Sequence, residues 1–226
     1  MKDFFEQKTR RVLFTLLFLD TLFVVLHLLF GRHLDLLNLD RERNFPTYYS
    51  GLKLILNGWL AFTLVFLRGR SEKAVWIGFA ALFTYLSFDE ISELHENIAY
   101  YSMKVLHFLP LAGLFRAPTH AWLFLFSPFI FGAGIFFFAS IKRLEVLSKA
   151  KKYLYFGFAF FIMALCLEFI GGIITVRAYF KLAAVFEEYS EMIGATFMVA
   201  SLFLVTGSSF FGSYHRIDQC KSLPKN

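Results

Sequence analysis

Apolar runs of roughly twenty residues, the length that crosses a bilayer core as an α-helix, alternate along this chain with short stretches rich in Lys, Arg, Asp, Glu and Asn. Six runs fit, near 12–31, 51–68, 74–93, 118–141, 153–176 and 190–212. They predict an all-α fold, a polytopic membrane helical bundle of about six transmembrane helices forming one integral-membrane domain over residues 1–226. No internal repeat, low-complexity tract or soluble domain interrupts the pattern. The first run holds Asp20, is too long for a leader's apolar core and lacks a small-residue cleavage site, so it reads as a retained helix. VLHFLPLAGLF (105–115) is too short to span and contains Pro110 and Gly113, which predicts an interfacial or re-entrant piece.

Composition strengthens this picture. The chain is 58% hydrophobic and 20% aromatic, with 32 Phe, beyond the apolar content of a soluble domain. Its net charge of +6 would suit nucleic acid, but the cations sit in short clusters between apolar runs, as topology determinants do. Cys166 lies in an apolar run and Cys220 in the polar tail, an arrangement without a disulfide or thiolate-metal signature. Nucleotide and haem signatures are missing too. Counting Lys and Arg in the connections gives 15 on the side of the termini and 8 on the other, with Lys53 counted among the 8. Both termini are therefore expected in the cytoplasm of a bacterial cell, with the chain in its inner membrane.

That orientation gathers acids at the outer face. FDEISELHE (88–96) ends the third run, EEYSE (187–191) begins the sixth, Glu168 lies in the outer part of the fifth, and ERNFPT (42–47) precedes the second. At about 100° per residue Tyr85, Asp89, Ser92, Glu93, Glu96 and Tyr100 share a helical stripe, and Glu187, Glu191 and Gly194 share another. Glu93 or Glu96 is expected to meet Glu187 or Glu191, with Glu90 and Glu188 flanking them. Gly194, and Gly171 and Gly172 beside Glu168, suit close helix packing. His95 falls about 120° from its stripe, so either the helix distorts or His95 serves a neighbouring site. Asp20 and His27 share a face of the first helix, from which His27 is expected to reach the cluster. Pro46 suits the first position of a helix, and Glu42 and Arg43 are secondary candidates.

Crowded carboxylates in a membrane need a compensating cation or shared protons. Three readings follow. A divalent iron, manganese or zinc ion held by Asp89, Glu93, His95, Glu96, Glu168, Glu187 and Glu191 would make a metal-dependent enzyme for a lipid or other membrane-associated small molecule, with Glu93, Glu96, Glu191 and His95 as catalytic candidates. An ion- or proton-coupled transporter would need a continuous polar path from Asp20 through Glu168. A structural subunit of a membrane complex would neutralise the acids with its own Arg and Lys. The first is the leading reading.

Together ERNFPTYYS, FDEISELHE and EEYSEMIGA resemble motifs of a family of uncharacterised bacterial multi-pass membrane proteins. The resemblance implies that Glu42, Asn44, Pro46, Asp89, Glu90, His95, Glu96, Glu187, Glu188 and Glu191 belong to that pattern. It implies no reaction. Better understood membrane enzymes fit less well, because no two histidines are four residues apart, as in ceramidase-like hydrolases, HENIA lacks the second histidine of HExxH, and six scattered histidines do not make desaturase boxes.

The charge count makes a topological prediction. Cysteines introduced at Ser71 and Ser148 react with an impermeant maleimide only from the cytoplasmic side, and one at Ser102 only from outside; the opposite sidedness would invert the placement of the acids.

Overall fold

Every described residue in regular structure is helical. The computed structural model describes residues 2–39, 41, 43–95, 97–98, 100–101, 122–173 and 176–221, and does not describe side chains at 2, 124, 125, 177, 178 and 211–221. The 105–115 piece, Glu42, Glu96 and Ser102 lie outside the described residues. The long helices are α1 (Lys2–Phe30), α2 (Phe45–Leu67), α3 (Lys73–Ser92), α4 (Trp122–Arg143), α5 (Ser148–Ile173) and α6 (Arg177–Lys221). Five of them, all but α4, contain described segments long and apolar enough to cross a membrane. The all-α membrane bundle expected from the hydrophobic runs is the fold observed.

Two helix starts differ from expectation. The sixth helix begins at Arg177 rather than near 190 and runs for 45 residues, about 68 Å at 1.5 Å per residue, well over a bilayer core of about 30 Å. The acids at 187–191 read as a boundary in sequence, but they are carried within the helix on the side that lines a cavity, so the backbone passes through them. In α2, Asn44 is the cap: its Oδ1 accepts from the Thr47 backbone N–H at 2.9 Å, while Pro46 follows Phe45 and so takes the second helical position. The other end of the Asn44 amide donates to the Asn38 carbonyl at 2.6 Å, fastening the α1–α2 connection to the cap.

The core sits at the end of the bundle away from the acids. Trp76, Phe79 and Phe83 of α3 are fully buried there with Leu64, Ile141 and Leu154. Phe137 of α4 stacks on Phe79 at 4.8 Å and on Phe158 of α5 at 5.0 Å between ring centroids. Helices α5 and α6 meet at two glycines: a Cβ added at Gly157 would lie 2.9 Å from the Gly194 carbonyl oxygen, so the backbones approach as closely as the small residues allow. On the other side of α2, the Ser87 hydroxyl of α3 donates to the Gly51 carbonyl at 2.8 Å.

A buried ion pair joins the remaining helices. Lys53 is a residue of α2, not of a connection, and its side chain is 3% exposed against 0% for Asp20 of α1. Its Nζ lies 2.6 Å from Asp20 Oδ1 and donates to the Met192 carbonyl of α6 at 2.8 Å. Thr196 Oγ1 donates to Asp20 Oδ2 at 2.7 Å, and the ammonium sits 4.3 Å from the centre of the Tyr49 ring. One turn further, Asn57 Nδ2 donates to the Ala195 carbonyl at 3.1 Å. Asp20 thus faces Lys53 and Thr196. His27 is drawn elsewhere: its Nδ1 accepts from the Leu39 N–H at 3.0 Å, so it holds the α1–α2 connection.

Removing one partner strands the other charge among apolar helices, so Asp20→Ala or Lys53→Met alone is expected to cost about 3–5 kcal/mol of stability. The double change Asp20→Leu with Lys53→Met should cost much less than the sum of its singles. Thermal unfolding of the purified variants checks this; additive losses would show that the two groups do not act as a pair.

Candidate functional site

Helices α3, α4, α5 and α6 surround a cavity of about 1580 Å³, larger than the roughly 300–1,000 Å³ of a typical small-molecule pocket. Its polar end is built from Glu90 and His95, from Glu168, and from Glu187, Glu188 and Glu191, and Arg41 of the α1–α2 connection, which pairs with Asp35, also lines the cavity. The rest of the wall is mostly Leu, Ile and Phe. Carboxylate oxygens of Glu90, Glu188 and Glu191 lie within 4.8 Å of one another, which brings the acids of α3 and α6 together.

The membership of that group differs from the stripes drawn on ideal helices. Glu90 meets Glu188 and Glu191, while Glu93 turns away. The reason is a backbone break: α3 ends at Ser92, and Glu93 takes the left-handed conformation, φ 54° and ψ 36°. Its carboxylate pairs with Arg43 Nε at 2.8 Å, and Arg43 is the other non-glycine residue with positive φ among the described residues. The Glu93 side chain therefore ties the α3 end to the entrance of α2. Glu90 had a signal of its own, since Leu82, Leu86 and Glu90 recur every four residues and all line the cavity.

The same break settles the misfit of His95. Helical structure resumes at Leu94, and the turn at Glu93 swings His95 back onto Asp89, whose Oδ1 accepts from the His95 N–H and whose Oδ2 contacts Nδ1, both at 2.9 Å. A carboxylate accepting from Nδ1–H leaves the lone pair on Nε2, the arrangement by which orienting carboxylates prepare histidines for a metal or a proton. Asp89 is thus placed to orient His95, one step back from the position of a ligand. The imidazole packs on the Trp122 ring, 4.6 Å between centroids, and the Trp122 indole N–H donates to Glu168. Glu168 joins α5 to α4 in this way and stands at the cavity wall.

The donor set fits a hard divalent cation. Three carboxylates gathered in a largely apolar cavity repel one another, and oxygen-rich sites suit manganese, magnesium or calcium, with iron favoured where an imidazole joins them. Among the described residues the group of three holds no thiolate, and one imidazole, that of His95, shares the cavity's polar end, so zinc fits this set less well.

If the role of Glu93 is to make the turn, glycine should replace it well. Relief of the left-handed strain, about 1–2 kcal/mol, should offset loss of the Arg43 pair, which is exposed on the arginine side and worth about 1 kcal/mol, so Glu93→Gly should unfold close to the wild-type temperature. Glu93→Val should be less stable by about 1–2 kcal/mol. A glycine variant as unstable as the valine variant would assign the role to the carboxylate.

No curated protein and no solved structure matches the chain. One family does, over residues 12–206, a stretch that includes all six residues of the cavity's polar end. The chain belongs to that family, described as a domain of unknown function, DUF8692.

Proposed function

We propose that this protein is a multi-pass membrane enzyme that uses a divalent cation, held by Glu90, Glu188 and Glu191, on a lipid or other membrane-associated substrate. The single observation that carries the reading is the cavity's polarity: acids and His95 at one end, an aromatic and aliphatic wall over the remainder. An aqueous ion route has no use for such a wall. The proposal includes a bacterial inner membrane and cytoplasmic termini, which the distribution of Lys and Arg supports.

In this reading each residue has a distinct task. A cation bound by the three carboxylates would polarise a lipid ester or phosphate or lower the pKa of a bound water. His95, oriented through Nδ1 by Asp89, takes or returns a proton at Nε2. Trp122 backs the imidazole and holds Glu168 at the wall. Glu187 adds negative charge at the polar end, and Glu93 acts through the turn it makes. The ion-pathway reading needs Asp20 to communicate with Glu168, whereas Asp20 closes on Lys53 and Thr196, and neither Asp20 nor Lys53 lines the cavity.

Metal content and thermal stability measured together test the assignment. Protein purified without chelator should carry manganese, iron or another divalent ion and lose stability when it is removed. Glu90→Gln, Glu188→Gln and Glu191→Gln should each lower bound metal, with pairs adding little beyond the more damaging single change. Glu93→Gln should leave metal content unchanged. A wild-type protein that holds no metal and gains no stability from any added divalent ion would sink the proposal.

A further inference from the structure

Helix α4 is the loosely held wall of the cavity. Its inner end is fixed by the ring stack through Phe137 and by Ile141, which is fully buried. Further out, eight of the ten residues from Phe129 to Phe138 line the cavity. A helix with 3.6 residues per turn that faced a closed cavity would contribute about half of its positions. The void therefore passes around both flanks of α4. Exposure agrees: Phe129, Phe131 and Ile135 line the cavity and are also 74%, 70% and 70% exposed. Helix α6 contrasts with this, contributing Ala184, Glu187, Glu188 and Glu191 from a single face.

The depth of the apolar wall can be measured along α5. It runs from Glu168 at the polar end to Phe158, ten residues or roughly 15 Å of helix. That is half of a hydrocarbon core of about 30 Å, the depth taken by the chains of one leaflet. A soluble substrate has no need of a wall of that length, nor of an opening toward the bilayer.

We infer that the cavity takes a membrane lipid sideways from the bilayer along the flanks of α4, with its chain against α4 and α5 and its polar end at Glu90, Glu188 and Glu191. This rests on the proposed function for the placement of the headgroup, whereas the chain's place follows from the apolar wall and the flanks of α4, whether or not a metal is bound. The chain of the lipid replaces rings and aliphatic groups that otherwise face a void, and its headgroup arrives already at the level of the acids. Specificity for chain length follows from the distance to Phe158, where the stacked rings close the cavity.

The test uses full-length protein in nanodiscs containing a phospholipid with a photoactivatable diazirine near the end of one chain. Adducts should concentrate on the 129–138 and 158–170 peptides, and Gly134→Trp, which fills the cavity beside α5, should reduce them about tenfold, the effect of 1.4 kcal/mol against binding. Phe66→Trp on the bilayer-facing side of α2, where Phe66 is 71% exposed, should leave them unchanged. Adducts spread equally over α2, or insensitive to Gly134→Trp in a folded variant, would overturn the inference. Alkylation of Cys166, which lines the cavity, reads the same occupancy without altering it: in a Cys220→Ser background it should be slower in lipid than in short-chain detergent, and equal rates would overturn the inference. Running both with and without chelator separates the two ideas. Protein that carries no metal even before chelator yet still gives the adducts removes the cation alone; metal present without adducts removes the lipid.

Discussion

The Lys53–Asp20 pair is the interaction on which the placement of the other helices depends. A charge inside a bilayer must find its partners within the protein, and Lys53 finds them on two helices at once: a carboxylate on α1 and a backbone carbonyl on α6. The carbonyl belongs to Met192, the neighbour of Glu191. Asn57 makes the same kind of contact one turn further along α6. On its other face α2 holds α3 through Gly51 and Ser87, and α3 carries Glu90. The acids of α3 and α6 therefore meet because both helices are registered against α2, and the ion pair sets half of that register. The pair is itself saturated, with Thr196 completing Asp20, so it supplies order without offering a site.

The polar end of the cavity gathers like charges instead of opposite ones. Its carboxylates come from three helices and converge on one space, where their mutual repulsion is a standing cost. Gathering them, and setting His95 on an orienting carboxylate beside them, is the kind of local disadvantage that functional sites carry and the surrounding structure supports.

Much of the helical bundle was legible in the hydrophobic runs, because length and apolarity are what a bilayer selects. Helix ends were less so. At α6 the acids looked like the end of a span, since sequence does not say whether a charge faces lipid, water or an internal cavity. For Lys53 the position just after an apparent loop suggested a topology determinant; its spacing of four from Asn57 on an otherwise apolar helix was the sign of a polar face turned inward. The candidate site was legible as a set of acids but not as a grouping. Ideal periodicity cannot foresee that Glu93 turns left-handed, and that one residue removes its own carboxylate from the cluster and brings His95 back to Asp89.

The aromatic content acquires a specific meaning in this light. Phe rings make the tightly stacked column at the inner end, where α3, α4 and α5 meet, and also the wall of the open cavity further out. The same residue type serves both because a flat, apolar ring packs well against another ring and equally well against a hydrocarbon chain. Where rings find each other, α4 is fixed; where they do not, it stands apart from α3 and α5, and the space between has the polarity of the bilayer beside it. The column thus does for α4 what Lys53 does for α6, holding one end so that the acids keep their positions while the other end leaves room beside them.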